Sequence, residues 1–109
     1  YAARAEIDPM LTPEYIEAVR LAYAAGRDYR SSDLSPLFAD FDGFPPTLIQ
    51  VGDHEILYSD SESLYQAMKR VNVPCRLQVS EGMWHVFQMF PMRKAAAAIE
   101  NVARFLLEQ

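Results

Sequence analysis

The sequence predicts an α/β chain in which two parallel strands are joined by a crossover helix. Three observations carry this. Thr47–Gly52 (TLIQVG) is a short, nearly continuous apolar run between a proline pair and a glycine, which suits a strand covered on both faces. Pro74 opens a second short run, Cys75–Val79. Between the two lies a stretch of helical periodicity, and strand–helix–strand at this spacing is a right-handed parallel crossover.

The elements follow in order. Thr12-Pro13-Glu14 reads as a helix start: threonine caps, proline takes the first helical position, and glutamate favours the positive end of the helix dipole. Tyr15, Ile16, Val19 and Ala22 or Tyr23 share one face, and Gly26 stops the helix near residue 25. Residues 27–46 are loop-like, with Asp33 and Asp40 as turn formers. After the first strand, residues 53–58 form a loop. Ser59 or Ser61 is then expected to cap a helix reaching about Asn72, with Asp60 and Glu62 in its first turn and Leu64, Tyr65, Met68 and Val71 as its apolar stripe. The second strand alternates more than the first, so it should be more exposed and nearer a sheet edge. Residues 80–92 make a loop. Arg93–Glu108 is the last helix, with Ala97, Ile99, Val102, Ala103, Phe105 and Leu106 as its apolar set.

The totals bound what such a chain does. Its 109 residues make one domain, and 50% hydrophobic content supports a packed core rather than disorder. A net charge of −5 with scattered basic residues argues against nucleic acid or an anionic membrane surface as partner. No apolar run approaches the ~20 residues of a membrane span. The single cysteine, Cys75, cannot form an internal disulfide, reads as a buried small hydrophobe, and fits a reducing, cytoplasmic compartment. Two parallel strands alone make a poor sheet with both edges open, so the pattern resembles the end of a larger doubly wound fold. The first residues, YAARAEIDPM, contain no initiator methionine and no signal-peptide core, which fits a processed chain or a piece of a longer one.

In open α/β sheets, functional residues gather beyond the carboxyl ends of the strands. Here those positions hold Gly52-Asp53-His54-Glu55 and Gly82-Met83-Trp84-His85. A carboxylate after one strand and a histidine after its parallel neighbour can meet across the top of the sheet. The carboxylate then accepts from one ring nitrogen and fixes the tautomer, leaving the other nitrogen to act as a base. The plainer reading is a core histidine with local partners and an acid that forms a turn. A metal held by Asp53, His54 and Glu55 is not expected, because adjacent residues rarely chelate one ion from a strand-end loop.

Four segments occur in a specific order: SPLFAD (Ser35–Asp40), GFPPTLIQVG (Gly43–Gly52), EILYSDS (Glu55–Ser61) and GMWHVF (Gly82–Phe87). Together they closely resemble the C-terminal part of bacterial esterases of the hormone-sensitive-lipase-like group, within the α/β-hydrolase fold. Arg4–Tyr15 resembles the stretch that leaves the preceding strand in those enzymes. The resemblance implies a Ser-His-acid esterase with the chain order nucleophile, acid, histidine. His85 matches the family histidine. Setting Leu57 against the leucine of the family's acid segment puts Glu55 at the catalytic position; Asp53 lies two residues earlier and Asp60 on the helix side, and these two are the alternatives. The resemblance implies no cofactor.

The nucleophile is where the sequence departs from the family. No Gly-x-Ser-x-Gly elbow and no His-Gly-Gly oxyanion motif occurs in it. The expectation is therefore a C-terminal segment of an α/β-hydrolase domain, residues 1–109, that supplies acid and histidine for hydrolysis of a small-molecule ester and is inactive alone. A rival class is a non-enzymatic interaction module that uses its open edges. Family members often dimerise through the last strand, here Cys75–Val79, so a homo-oligomer or a complementing N-terminal segment is the expected partner. Trp84 either lines an acyl pocket or packs on a helix. Phe87, Met89 and Phe90 are expected in the core, with a pocket wall as the alternative. Asp60 and Ser61 are expected to cap their helix, with a bond that orients the catalytic loop as the alternative.

Overall fold

The computed structural model describes residues 4–31 and 35–109; Asp33, expected in a turn, lies outside them. The elements are α1 (Pro13–Ala24), β1 (Thr47–Gly52), α2 (Tyr58–Arg70), β2 (Cys75–Ser80) and α3 (Arg93–Leu107), with short 3-10 turns at Pro36–Phe38 and Phe87–Met89. The strands pair in parallel, in register from Thr47 opposite Cys75 to Gly52 opposite Ser80.

Alternation along the strands gives the two faces different helices. Ile49 and Cys75 face α2, where Phe41, Met68, Val73 and Cys75 form one apolar cluster. Gln50, Arg76 and Gln78 face α3. There Gln50 Nε2 donates to Gln78 Oε1 and to the Ala98 carbonyl, both at 2.9 Å, and Gln88 Nε2 donates to Gln50 Oε1 at 3.1 Å. The glutamines beneath α3 thus satisfy one another and a helix carbonyl, so their placement between sheet and helix carries no unmet polar cost. Arg76 reaches Glu108 at 2.8 Å, tying the second strand to the last turn of α3.

Several expectations change. Thr12 caps α1 as expected, its Oγ1 accepting from the Tyr15 amide at 3.1 Å, and Ala25 and Gly26 turn left-handed to end the helix. Yet on the α1 face Tyr15, Val19 and Tyr23 are exposed, and only Ala24 of the helix is buried. The first strand is not covered on both faces along its length: only Val51 and Gly52 are buried. Cys75 alone is buried in β2, so it is the more exposed strand, as its alternation predicts.

Neither Ser59 nor Ser61 caps α2. The helix begins at Tyr58 out of a turn, Tyr58 N to Glu55 O, with Leu57 before it and no side-chain cap. Ser61 Oγ instead donates back to the Leu57 carbonyl at 3.1 Å, and Asp60 sits in the first turn without capping it. In α3 the buried residues are Ala95 and Ala98, while Ile99, Val102 and Leu106 are exposed. Small side chains let the helix approach the sheet closely, so the bulkier residues are turned outward. Asp40 forms its turn as expected, accepting from the Asp42 amide at 3.0 Å.

Candidate active site

Because Gly52 pairs with Ser80, both strands end at the same level and their loops leave side by side. Backbone bonds join them: Asp53 N to Ser80 O at 3.3 Å and His54 N to Met83 O at 2.9 Å. Asp53 Oδ1 adds a third link, accepting from the Gly82 amide at 2.7 Å. The fit is tight at Gly52, where an added Cβ would run into the Met83 carbonyl and the Trp84 amide nitrogen. Gly82 sits at φ +74 in the turn from Ser80 to Met83, a conformation that glycine adopts without steric cost.

Glu55 is buried, with 5% of its surface exposed. Its Oε2 accepts from the Gly52 amide at 2.9 Å, and its Oε1 lies 3.4 Å from His85 Nδ1. That separation is at the long end of a hydrogen bond. With the proton on Nδ1, His85 donates to Glu55 and its Nε2 lone pair stays available. The imidazole is about one-third exposed, so part of it faces solvent. Beyond it, Val86 takes a left-handed conformation (φ 50) and leads into the Phe87–Met89 turn. Phe87 is anchored among Ala95 and Ala98 of α3, fixing the loop from its far side.

The sequence candidates separate cleanly in space. Glu55 and His85 come together. The Asp53 carboxylate is taken up by the Gly82 amide and lies 3.8 Å from His54 Nε2, so it joins the two loops. Asp60 lies in the first turn of α2. Trp84 packs against the Phe87–Ala95–Ala98 cluster and meets Phe90 edge-to-face at 5.4 Å, the helix-packing alternative. Of the three residues expected in the core, Phe87 is buried, whereas Met89 is 81% exposed and Phe90 is exposed. Among the described residues, no three His, Cys, Asp or Glu side chains converge as metal ligands do.

Sequence reasoning missed Asp8. It is buried, its Oδ1 accepts from the Met10 and Leu11 amides at 2.7 and 2.8 Å, and its Oδ2 accepts from the Ile56 amide at 2.8 Å. Burial pushes its carboxyl up, but the amides of Leu11, Ile56 and Met10 outweigh this and nearby His85 acts with them, so its pKa lies below the usual 3.8. An Asp-Pro pair favours a local turn, but nothing nearby in sequence points to the reach to Ile56.

A parallel crossover with a carboxylate after one strand and a histidine after the next is the arrangement of an α/β-hydrolase. A family profile described as alpha/beta hydrolase fold matches residues 2–89, and the chain belongs to that family. It is 37% identical over 102 residues to an esterase of Acinetobacter venetianus, covering 90% of this chain and 33% of the relative. It is 36% identical over 86 residues to an acetyl-hydrolase of Streptomyces hygroscopicus, covering 77% and 29%. The chain thus spans about a third of the length of these curated relatives. A crystal structure of an esterase from the bacterial hormone-sensitive lipase family superimposes with a TM-score of 0.95 at 33% identity, over 98% of this chain and 37% of that one. Among the described residues, no helix is long and apolar enough to cross a membrane.

Proposed function

We propose that these 109 residues carry the acid and the histidine of a Ser-His-acid carboxylic-ester hydrolase acting on short-chain acyl esters. The observation that carries this is the 3.4 Å approach of buried Glu55 to His85 Nδ1 beyond two parallel strands. The esterase and acetyl-hydrolase relatives support ester substrates. In the reaction, a serine hydroxyl attacks the ester carbonyl while His85 Nε2 takes its proton. The same proton then goes to the departing alkoxide, leaving an acyl-enzyme that water hydrolyses by the same route. Glu55 holds the ring and stabilises its charged form. No cofactor takes part.

The nucleophile and oxyanion donors come, in this reading, from sequence outside these residues, and the chain alone turns over no ester. The test joins the chain to the nucleophile-bearing part of the Acinetobacter venetianus esterase in place of the matching segment. Labelling of the serine by a fluorophosphonate reports an assembled site, and hydrolysis of short-chain p-nitrophenyl esters reports turnover. His85→Ala should cost on the order of 10⁶-fold in kcat and Glu55→Gln roughly 10³–10⁴-fold. Full activity in either variant overturns the assignment, and fluorophosphonate labelling of the chain alone overturns its inactivity.

A second reading is favoured by the two open sheet edges and by exposed Tyr15, Val19 and Tyr23: the chain works as an interaction module, pairing with a second copy along β2. Sedimentation across a range of concentrations separates the two, since a defined oligomer that no complementing segment disrupts favours the module. The single buried thiol suits a reducing cytoplasm in either case.

A further inference from the structure

We infer that Asp8 is a positioning residue for the Glu55–His85 pair; the inference rests on the esterase reading above. Asp8 and Glu55 are the buried charged residues among those described. The turn that follows Asp8 needs only Oδ1, which accepts from both Met10 and Leu11. Oδ2 is left over from that turn and reaches 48 residues along the chain to the Ile56 amide at 2.8 Å. That amide belongs to the peptide unit joining Glu55 to Ile56. Asp8 therefore fixes the peptide plane from which the Glu55 side chain springs, while the Gly52 amide fixes the far end of that side chain.

Arg4 grips the same loop at both ends. Its Nε donates to the Asp53 carbonyl at 2.8 Å, and its guanidinium lies 3.9 Å from the centre of the Tyr58 ring. Without the Asp8 carboxylate, the Ile56 N–H would be buried with no acceptor, and the loop would have to shift to satisfy it. The Glu55–His85 bond is already 3.4 Å, so a small shift takes it out of bonding range.

The chain's two histidines make the test direct. With 15N-labelled imidazoles, the ratio of Nδ1–H to Nε2–H tautomer in neutral His85 reports whether Glu55 holds Nδ1, and exposed His54 is the internal control. Glu55→Ala should return His85 to the mixture of free imidazole. Asp8→Asn keeps one oxygen but turns an NH₂ toward either Ile56 or the Met10–Leu11 amides. It should lower the His85 ratio by roughly threefold, the effect of weakening one modest hydrogen bond, and leave His54 unchanged. A merely structural role for Asp8 would lower the unfolding midpoint without moving that ratio. If Glu55→Ala moves the ratio and folded Asp8→Asn does not, the inference falls and the esterase reading stands. If neither moves it, the pair itself is absent and the esterase reading fails with it. Should Asp8→Asn not fold, Asp8→Glu decides at neutral pH: it keeps the charge but moves the carboxylate by one methylene from the Ile56 amide, and the His85 ratio must move with the shift of the Ile56 amide resonance. A His85 ratio that ignores that shift overturns the inference.

Discussion

Replacing Gly52 with alanine puts a methyl group where the Met83 carbonyl already lies. The atoms in the way are backbone, so no side-chain rotation relieves the overlap, and either the end of β1 or the turn before His85 must move. Overpacking of this kind costs roughly 1–3 kcal/mol. Separating the loops also weakens the bond from His54 N to Met83 O, at about 1 kcal/mol, and the bond from Gly82 N to the Asp53 carboxylate, at about 1.5–3 kcal/mol. The expected loss is about 5 kcal/mol, a large share of the ~5–15 kcal/mol that holds a small domain together.

Gly26→Ala is the matched control. Its Cβ meets nothing within 4 Å, so the cost comes only from φ +84 and should be about 1 kcal/mol. Urea unfolding followed by fluorescence reads both variants, because Trp84 is the only tryptophan and sits in the His85 loop. A Gly52→Ala loss no larger than that of Gly26→Ala would refute the claim that close approach at Gly52 sets the spacing of the two loops.

Three further outcomes are expected. The lowered Asp8 pKa means that the unfolded chain binds more protons there than the native one, so its contribution is complete above 3.8 and disappears as pH falls through the native value. Urea melts should therefore show a deficit in Asp8→Asn that is full at neutral pH and shrinks below pH 3.8. Val86 is β-branched, 39% exposed and left-handed, so Val86→Gly should raise stability by about 1 kcal/mol in the same melts, while loosening the ring of His85. Burial pushes the Cys75 thiol above 9.0, so the native chain should react with a maleimide orders of magnitude more slowly than the urea-unfolded chain, as read by mass spectrometry.

Strand positions and the crossover were legible because apolar runs, prolines and glycines are local signals. Helix faces were less so. In α3 the large apolar side chains drew the reading outward to Ile99 and Leu106, whereas closeness to the sheet favours Ala95 and Ala98, and size is set by the partner surface rather than by hydrophobicity. At α2 the serines offered caps, but the turn from Glu55 delivers the chain into helix before either is reached. Glu55 and His85 could be singled out because their segments resemble those of a known family. Asp8 could not be, since one oxygen serves a local turn and the other makes a contact that only folding reveals.

The supports of the Glu55–His85 pair all belong to one frame. Gly52 and Ser80 end in register, Asp53 and His54 bond to the Gly82–Met83 turn, Phe87 seats the loop on α3, and Asp8 holds the Ile56 amide. Glu55 and His85 are therefore positioned relative to each other by these residues alone. In the proposed esterase, a displacement of this frame against the nucleophile would move both groups together and leave their hydrogen bond intact. Ring orientation and proton placement on His85 then become properties of these residues, while turnover in the proposed esterase would depend on what is brought against Nε2. That division is why the histidine tautomer can be read on the chain itself, and why its value should survive joining the chain to a nucleophile-bearing segment.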